Sequence, residues 1–338
     1  MNYKKTSDLI FSEIDKAKSI LLHLHPGPDG DSVGSALAMY HYLRSQNKQV
    51  TLISGDSTTP QSFNVLPGSE NITKANYFNI DLKQYDLFIV LDTSSPNQIS
   101  KLDKIVFPGT LKTICIDHHQ SNQHFADINL VDLTSPATAQ IVARLFLQNK
   151  VQITPEMASC LLLGIYTDTG GYKYFPTSSI TFNIASKLAK IAPDFHQSIF
   201  NFENQDKPGR LLMMALLLSN INTYFGGKVA LSIVSKSQIK NKNIEPEAIF
   251  TVDIANTIKS VVGYEIGGTL IEGQDGKVKV SLRTRNSSTY DLSKIATSTG
   301  YGGGHKAAAG ASIPFRLSKS LKILLSAIAQ NNPELGSP

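Results

Sequence analysis

Three short apolar runs, far apart in the chain, each end on a side chain able to bind a cation. Ser19–His25 ends in a histidine, and Leu87–Asp92 and Thr113–Asp117 end in aspartates. Continuous runs of this length, rich in Leu, Ile and Val, are the signature of strands buried on both faces of a parallel sheet. Gln49–Ser54 reads the same way. Parallel strands need long crossovers, and helical spacing marks several: 35–45, through Leu37, Ala38, Tyr42 and Leu43, then 137–148 and 155–166. The pattern predicts an α/β fold with a mostly parallel N-terminal sheet and helices on both of its faces. In such sheets ligands collect beyond the carboxyl ends of the strands. His25, Asp92 and Asp117 would meet there.

A chain of 338 residues is comfortable for two domains. Composition shifts across 191–210, which holds Pro193, Pro208 and Gly209. We expect a catalytic domain over 1–190, a linker over 191–210 and a smaller α/β substrate-binding domain over 211–338, with the active site in the cleft between the domains. In the second half, Leu211–Asn222 reads as a helix, and strands fall near Lys228–Ser235, Tyr264–Ile271 and Lys277–Arg283. A glycine-rich loop at Gly300–Gly304, a helix at Ser318–Gln330 and a frayed tail over 331–338 follow.

Hydrophobic residues make up 41% and charged residues 17%, an ordinary globular balance. Cys115 and Cys160 both sit inside apolar runs, so buried reduced thiols are expected, and a disulfide framework or a cysteine zinc site is excluded. The longest apolar runs fall far below the ~20 residues of a membrane span. The first residues, Met1–Ser7, run into an amphipathic stretch containing Glu13 and Asp15, unlike a signal peptide. A cytoplasmic protein is expected. Residues 1–190 carry 16 basic and 16 acidic side chains, and 191–338 carry 16 and 11, so the net charge of +5 lies in the C-terminal part. That modest excess suits a small phosphorylated ligand better than a long duplex.

The first cation-binding stretch is His25-Pro26-Gly27-Pro28-Asp29-Gly30-Asp31-Ser32. Pro28 and Gly30 shape a turn, and Asp31 and Ser32 are candidate N-caps of the helix that follows. A capped turn alone would explain that stretch, as a polar loop alone would explain Asp117-His118-His119. Asp168 resists such an explanation. It ends an apolar helical run before Gly170 and Gly171, where the helix dipole disfavours a carboxylate unless a cation is near. Hard cations take anionic oxygens, and imidazole suits manganese, iron and zinc. Together these elements read as a two-metal hydrolytic site, since neighbouring ions can clamp the attacking and leaving oxygens of a phosphoryl centre. In the second half, Gly302, Gly303 and Gly304 would let backbone amides form an anion nest, with His305, Lys306 and Arg283 adding donors.

The succession His25-x-x-Pro28-Asp29-Gly30-Asp31, Asp92, Asp117-His118-His119 and Asp168-Thr169-Gly170 resembles the DHH phosphoesterase superfamily. Ser281-Leu282-Arg283 and Gly302-Gly303-Gly304-His305 through Gly310 resemble its DHH-associated C-terminal domain. Length and the lack of extra domains point to the nanoRNase/pAp-phosphatase (NrnA-like) branch. The resemblance implies two Mn(2+) ions per site, one held by His25, Asp29 and Asp92, the other by Asp31, Asp92, His118 and Asp168. It implies that His119 contacts the scissile phosphate or assists the leaving group, and that Asp117 orients the histidines. Arg283, Gly302, Gly303, Gly304 and His305 would hold the substrate's terminal phosphate or nucleotide. The implied reaction is hydrolysis of short oligoribonucleotides, of 3′-phosphoadenosine 5′-phosphate (pAp), or of both. Cyclic or linear di-AMP is the alternative substrate, and a non-catalytic nucleotide-binding protein a remoter one. No membrane and no obligatory protein partner is implied, and a homodimer is compatible with the sequence. Three departures concern the substrate side: no arginine occurs in Thr93–Ile99, Gln140 stands where a Glu is common, and Lys173 follows Tyr172 where Arg is common.

Overall fold

A computed structural model describes residues 3–250 and 252–337. Met1 and Asn2 of the stretch read for a signal peptide, and Pro338 of the tail, lie outside the described residues. The chain divides into two compact units, with the division between Gln205 and Asp206.

The first unit runs α1 (Tyr3–Lys16), β1 (Ser19–His23), α2 (Gly30–Ser45), β2 (Gln49–Ile53), β3 (Ile72–Thr73), β4 (Leu87–Leu91), β5 (Lys112–Asp117) and β6 (Ile128–Val131). Four helices follow: α3 (Thr138–Gln148), α4 (Pro155–Asp168), α5 (Ser179–Ile191) and α6 (Phe195–Glu203). The six strands form one parallel sheet in the order β3-β2-β1-β4-β5-β6. Strand order therefore reverses between β1 and β4, the switch point at which open α/β sheets bind ligands. His25 lies just beyond β1 and Asp92 just beyond β4.

The expectation of helices on both sheet faces needs correction. Leu22, Leu52, Ile89, Ile114 and Ile116 on one face pack with Ile10 and Ile14 of α1, Leu37 of α2, Ile141 of α3 and Leu161 of α4. On the other face, Leu21, Ile53, Phe88 and Val90 pack with Tyr77, Ile99, Ile105 and Leu111, which come from short 3-10 turns and irregular crossovers. Aromatic side chains substitute for helices there. Tyr77 stacks on Phe88 with ring centroids 5.9 Å apart, and Phe107 on Phe125 at 6.2 Å. Burial of the strands on both faces is thus achieved without helical periodicity in the intervening sequence.

The segment 191–210, expected as a linker, carries α6. Phe202 of α6 stacks on Phe63 at 5.3 Å, within the first unit.

The second unit runs α7 (Pro208–Leu218), β7 (Ile221–Tyr224), β8 (Val229–Val234), α8 (Lys236–Asn241), α9 (Ala255–Lys259), β9 (Ile266–Glu272), β10 (Val278–Thr284), α10 (Leu292–Ser298), β11 (Gly302–Gly304), β12 (Ala308–Ile313) and α11 (Leu317–Asn331). Its mixed sheet has the order β11-β12-β10-β9-β8-β7, with β8 and β9 parallel and the other pairs antiparallel. Leu292, Ile295, Leu324 and Ile328 cover one face, and Met213, Leu217, Ile239 and Ile258 the other. The glycine-rich segment is an edge strand, not a loop. A Cβ on Gly302 would overlap the Gly310 carbonyl, and one on Gly304 would lie 2.7 Å from the Ala309 Cα. Glycine is required there for flush pairing with β12. Extended backbone also lacks the alternating conformation of an anion nest, so that expectation is corrected too.

Candidate metal centre

Local structure places each donor. Asp29, not Asp31 or Ser32, is the N-cap of α2: Oδ1 accepts the amides of Asp31 and Ser32 at 3.1 and 3.0 Å. Asp31 is thereby freed to turn inward from the first helical turn, where it is 1% exposed. Its oxygens accept the Thr138 amide at 2.6 Å and the Ala139 amide at 2.7 Å. These amides open α3, so Asp31 lies at the positive ends of two helix dipoles.

Helices α2 and α4 approach closely because glycines line the contact. A Cβ on Gly34 would overlap the Cys160 carbonyl, and one on Gly164 would lie 2.7 Å from the Ala139 Cβ and 3.3 Å from Asp31 Oδ1. The close crossing brings Asp168, the last residue of α4, towards Asp31. Past it, Gly170 and Gly171 adopt φ of 57° and 69° and turn the chain away.

Asp92 follows β4 with φ 54°, a left-handed conformation that Asp tolerates better than most residues. It is 2% exposed and lies between two donor groups. Its Oδ2 is 3.5 Å from His25 Nε2, and its Oδ1 is 3.5 Å from His118 Nε2. His25 Nε2 is 3.6 Å from Asp29 Oδ1, and His118 Nε2 is 3.3 Å from Asp168 Oδ2 and 3.9 Å from Asp31 Oδ2. One candidate ligand set is His25, Asp29 and Asp92, and another is Asp31, His118 and Asp168. The donor atoms within each set lie within 4.8 Å of one another. Asp92, His118 and His119 satisfy the same criterion.

His119 has a further partner. Its Nδ1 is 2.7 Å from Asp117 Oδ1, while the ring is partly exposed. Asp117 is fully buried and accepts a second bond, from Asn122 Nδ2, at 2.7 Å.

Electrostatics favour a cation. Burial, then the charges of Asp92 and Asp168, raise the Asp31 carboxyl well above the usual carboxylate range, despite the Ala139 amide. Burial and Asp92 push Asp168 up to about 7. Burial opposes protonation of His25, but Asp29 and Asp92 raise it to about 10. Its bond to Asp117, against burial, raises His119 to about 9. Among the described residues, the groups at ion-pair distance from Asp31, Asp92 and Asp168 are imidazoles. Crowded carboxylates that hold protons for want of a counter-charge fit divalent cations, and oxygen with imidazole is a donor set such ions accept.

All eight residues expected for the metal and catalytic roles in the first unit are therefore gathered beyond β1 and β4, at and beyond the end of β5, and at the end of α4. Thr138 and Asn122 were not expected. Thr138 also donates its Oγ1 to Asp92 Oδ1 at 3.1 Å, and no spacing or motif in the sequence marks it.

The second unit holds the five residues expected to bind substrate. Arg283, on β10, donates Nη2 to Asp253 Oδ2 at 2.8 Å and Nη1 to Ser281 Oγ and the Leu282 carbonyl. Gly302, Gly303 and Gly304 form β11, and the His305 amide donates to the Ala308 carbonyl at 2.8 Å in the turn that leads to β12.

Residues 19–165 match the DHH family, N-terminal domain, and residues 226–331 match the DHHA1 domain. The chain is 27% identical to the probable bifunctional oligoribonuclease and PAP phosphatase NrnA of Streptococcus mutans, over 89% of this chain and 92% of that protein. It is also 27% identical to the bifunctional oligoribonuclease and PAP phosphatase NrnA of Thermus thermophilus, over 87% and 84% respectively. Among solved structures, an exopolyphosphatase-related protein from Bacteroides fragilis is similar with a TM-score of 0.88 and 26% identity, over 98% of each chain. The chain is thus a hydrolase of phosphate esters in which residues 19–165 form a DHH family domain and residues 226–331 a DHHA1 domain.

Proposed function

We propose that the protein is a manganese-dependent phosphoesterase that hydrolyses short oligoribonucleotides and pAp at a pair of ions in the DHH domain. The observation that carries this reading is Asp92, whose two oxygens face different imidazoles in two adjacent donor sets. The names of the relatives at 27% identity support the substrate class. Divalent cations bound there would supply Lewis-acid stabilisation of phosphoryl charge and a nucleophile competent near neutral pH.

His25, Asp29 and Asp92 would hold one ion, and Asp31, Asp92, His118 and Asp168 the other. Thr138 and the start of α3 fix Asp31 and Asp92, so that two of the most buried carboxylates keep their orientation before any ligand arrives. Asp117 grips Nδ1 of His119, which leaves Nε2 on the far side of the ring to hold a proton at the leaving oxygen. Arg283 and the turn at His305 contribute anion contacts from the DHHA1 domain. The protein acts in the cytoplasm, and no helix among the described residues is long and apolar enough to cross a membrane.

The test is a turnover panel on the full chain, stripped of metal and then reconstituted with Mn(2+), against a diribonucleotide, pAp and cyclic di-AMP. Release of mononucleotide from the diribonucleotide and of phosphate from pAp, abolished by chelator, is the expected result. Exclusive cleavage of cyclic di-AMP would replace the substrate assignment. Absence of any turnover would overturn the reading.

A further inference from the structure

The segment after Asp168 is built to hold aromatic rings beside the metal centre. Gly170, Gly171 and Tyr172 all adopt positive φ and reverse the chain. Thr169 is fully buried and ties the reversal together. Its carbonyl accepts the amides of Lys173 and Tyr174 at 2.8 and 3.0 Å, and its Oγ1 accepts the Tyr172 amide at 2.9 Å. The Tyr174 carbonyl then accepts the Thr177 amide at 3.0 Å. The conformation is held by its own backbone and does not have to be organised by a ligand, which lowers the entropy lost on binding.

The aromatic side chains in this segment divide. Tyr172 stacks on Phe182 with centroids 5.1 Å apart. Tyr174 and Phe175 instead stay in water, 54% and 96% exposed. The Tyr174 ring lies over Gly170, where a Cβ would overlap it. Gly170 is two residues from Asp168, at most about 7.6 Å between Cα atoms. Lys173, also exposed, precedes the pair.

Exposed apolar surface beside a reaction centre marks a binding surface. Two exposed rings on consecutive residues fall far short of the roughly 800 Å² each partner buries in a stable protein interface. They match the face of a nucleobase, and base–aromatic stacking tolerates any base because each has a π-face. Resting on the reading of the metal centre as a phosphoesterase site, we infer that Tyr174 and Phe175 form a stacking platform for a base of the nucleotide whose phosphate lies at Asp168. The platform would favour nucleotides over simple phosphate esters without selecting among bases.

The experiment measures AMP and inorganic phosphate binding to the manganese-loaded full chain by calorimetry, for the wild type and for the double variant Tyr174→Ala/Phe175→Ala. AMP affinity is expected to fall about tenfold, within the range such stacking gives, while phosphate affinity stays the same. The single variant Phe175→Leu, at a nearly fully exposed position, should lose about threefold and serves if the double variant misfolds. Equal AMP affinity in wild type and variants, absence of AMP binding to the wild type, or equal losses for AMP and phosphate would each overturn the platform. So would a variant whose solution mass differs from the wild type, because the rings would then be covered by a second copy. The two readings fail separately: AMP bound through the platform without any turnover sinks only the proposed function, and turnover with unaltered AMP binding in the variants sinks only the platform.

Discussion

Thr138 donates its backbone N–H to Asp31 Oδ2 at 2.6 Å, and the same residue donates its hydroxyl to Asp92 Oδ1 at 3.1 Å. One residue at the start of α3 therefore clamps two carboxylates delivered by different elements, Asp31 by the first turn of α2 and Asp92 by the end of β4. Carboxylate ligands with fixed orientation bind a cation without first losing rotamer freedom, and partners of this kind are worth 10–100-fold in metal affinity or activity. Thr138→Val keeps the shape and the amide and deletes only the hydroxyl. We predict a loss of manganese affinity of about 10–100-fold, with an unchanged circular dichroism spectrum. Calorimetric titration of the metal-free protein checks this, and wild-type affinity in the variant would remove Thr138 from the site.

The shifted protonation equilibria predict an unusual pH response in the metal-free state. His25 at about 10 and His119 at about 9 both lie above their unfolded value of 6.5. The folded protein then binds more protons than the unfolded chain above pH 6.5, so their stabilisation is fully present below that pH and is lost as pH rises towards 9–10. Asp168, raised to about 7 from 3.8, acts with the same sign at lower pH: the unfolded chain releases that proton first, and stability falls across this window as pH rises. Metal replaces these protons, so apparent manganese affinity should climb with pH through the same range. Melting temperatures in chelator at pH 7, 8 and 9.5 should decline and should flatten with manganese. A melting temperature in chelator that rises from pH 7 to 9.5 contradicts the assignment.

The strands and the donors were legible because each obeys a local rule. The apolar runs Leu87–Asp92 and Thr113–Asp117 announce buried parallel strands, and Asp168 announces itself by sitting where a helix dipole repels it. What was illegible depends on contacts between distant segments. Nothing near Thr138 signals that its amide faces a carboxylate 107 positions away. The non-helical face of the sheet was missed for a related reason: Tyr77, Phe107 and Phe125 cover it by stacking, which leaves no periodicity to read. Gly302–Gly304 misled because glycine serves a flexible loop and a tightly paired edge strand alike. The N-cap shifted from Asp31 to Asp29 because Gly30 can begin the helix, a difference of two residues that local propensity does not resolve.

Close packing of α2 on α4 carries its own prediction. Gly34 faces the Cys160 carbonyl, and Gly164 faces Ala139 and Asp31. An added methyl in such a contact forces backbone shifts that cost about 1–3 kcal/mol. Gly164→Ala should lower the melting temperature by several degrees and, because the helices carry Asp31 and Asp168, weaken manganese binding as well. Gly109→Ala, at a position with no neighbour within 4 Å of the new methyl, is the matched control and should change neither quantity. Equal behaviour of the two variants would show that the helix crossing tolerates a methyl and does not set the ligand spacing.

Substitution of Arg283 is expected to separate substrate binding from metal binding. Asp253, Ser281 and the Leu282 carbonyl engage three of its N–H donors, and a guanidinium has five. The side chain is thus held in one orientation, with donors left among its described contacts for a phosphate. A charge-assisted hydrogen bond of that kind contributes about 1.5–3 kcal/mol. Arg283→Ala should therefore raise KM for pAp and for a diribonucleotide by about 10–100-fold, while manganese content measured by atomic absorption stays at the wild-type level. Asp253→Asn keeps the hydrogen-bond acceptor and removes the competing charge, so it should leave manganese content unchanged and lower KM or leave it as it is. Manganese lost in parallel with substrate affinity in Arg283→Ala would give Arg283 a structural role in the fold and remove it from the substrate contacts.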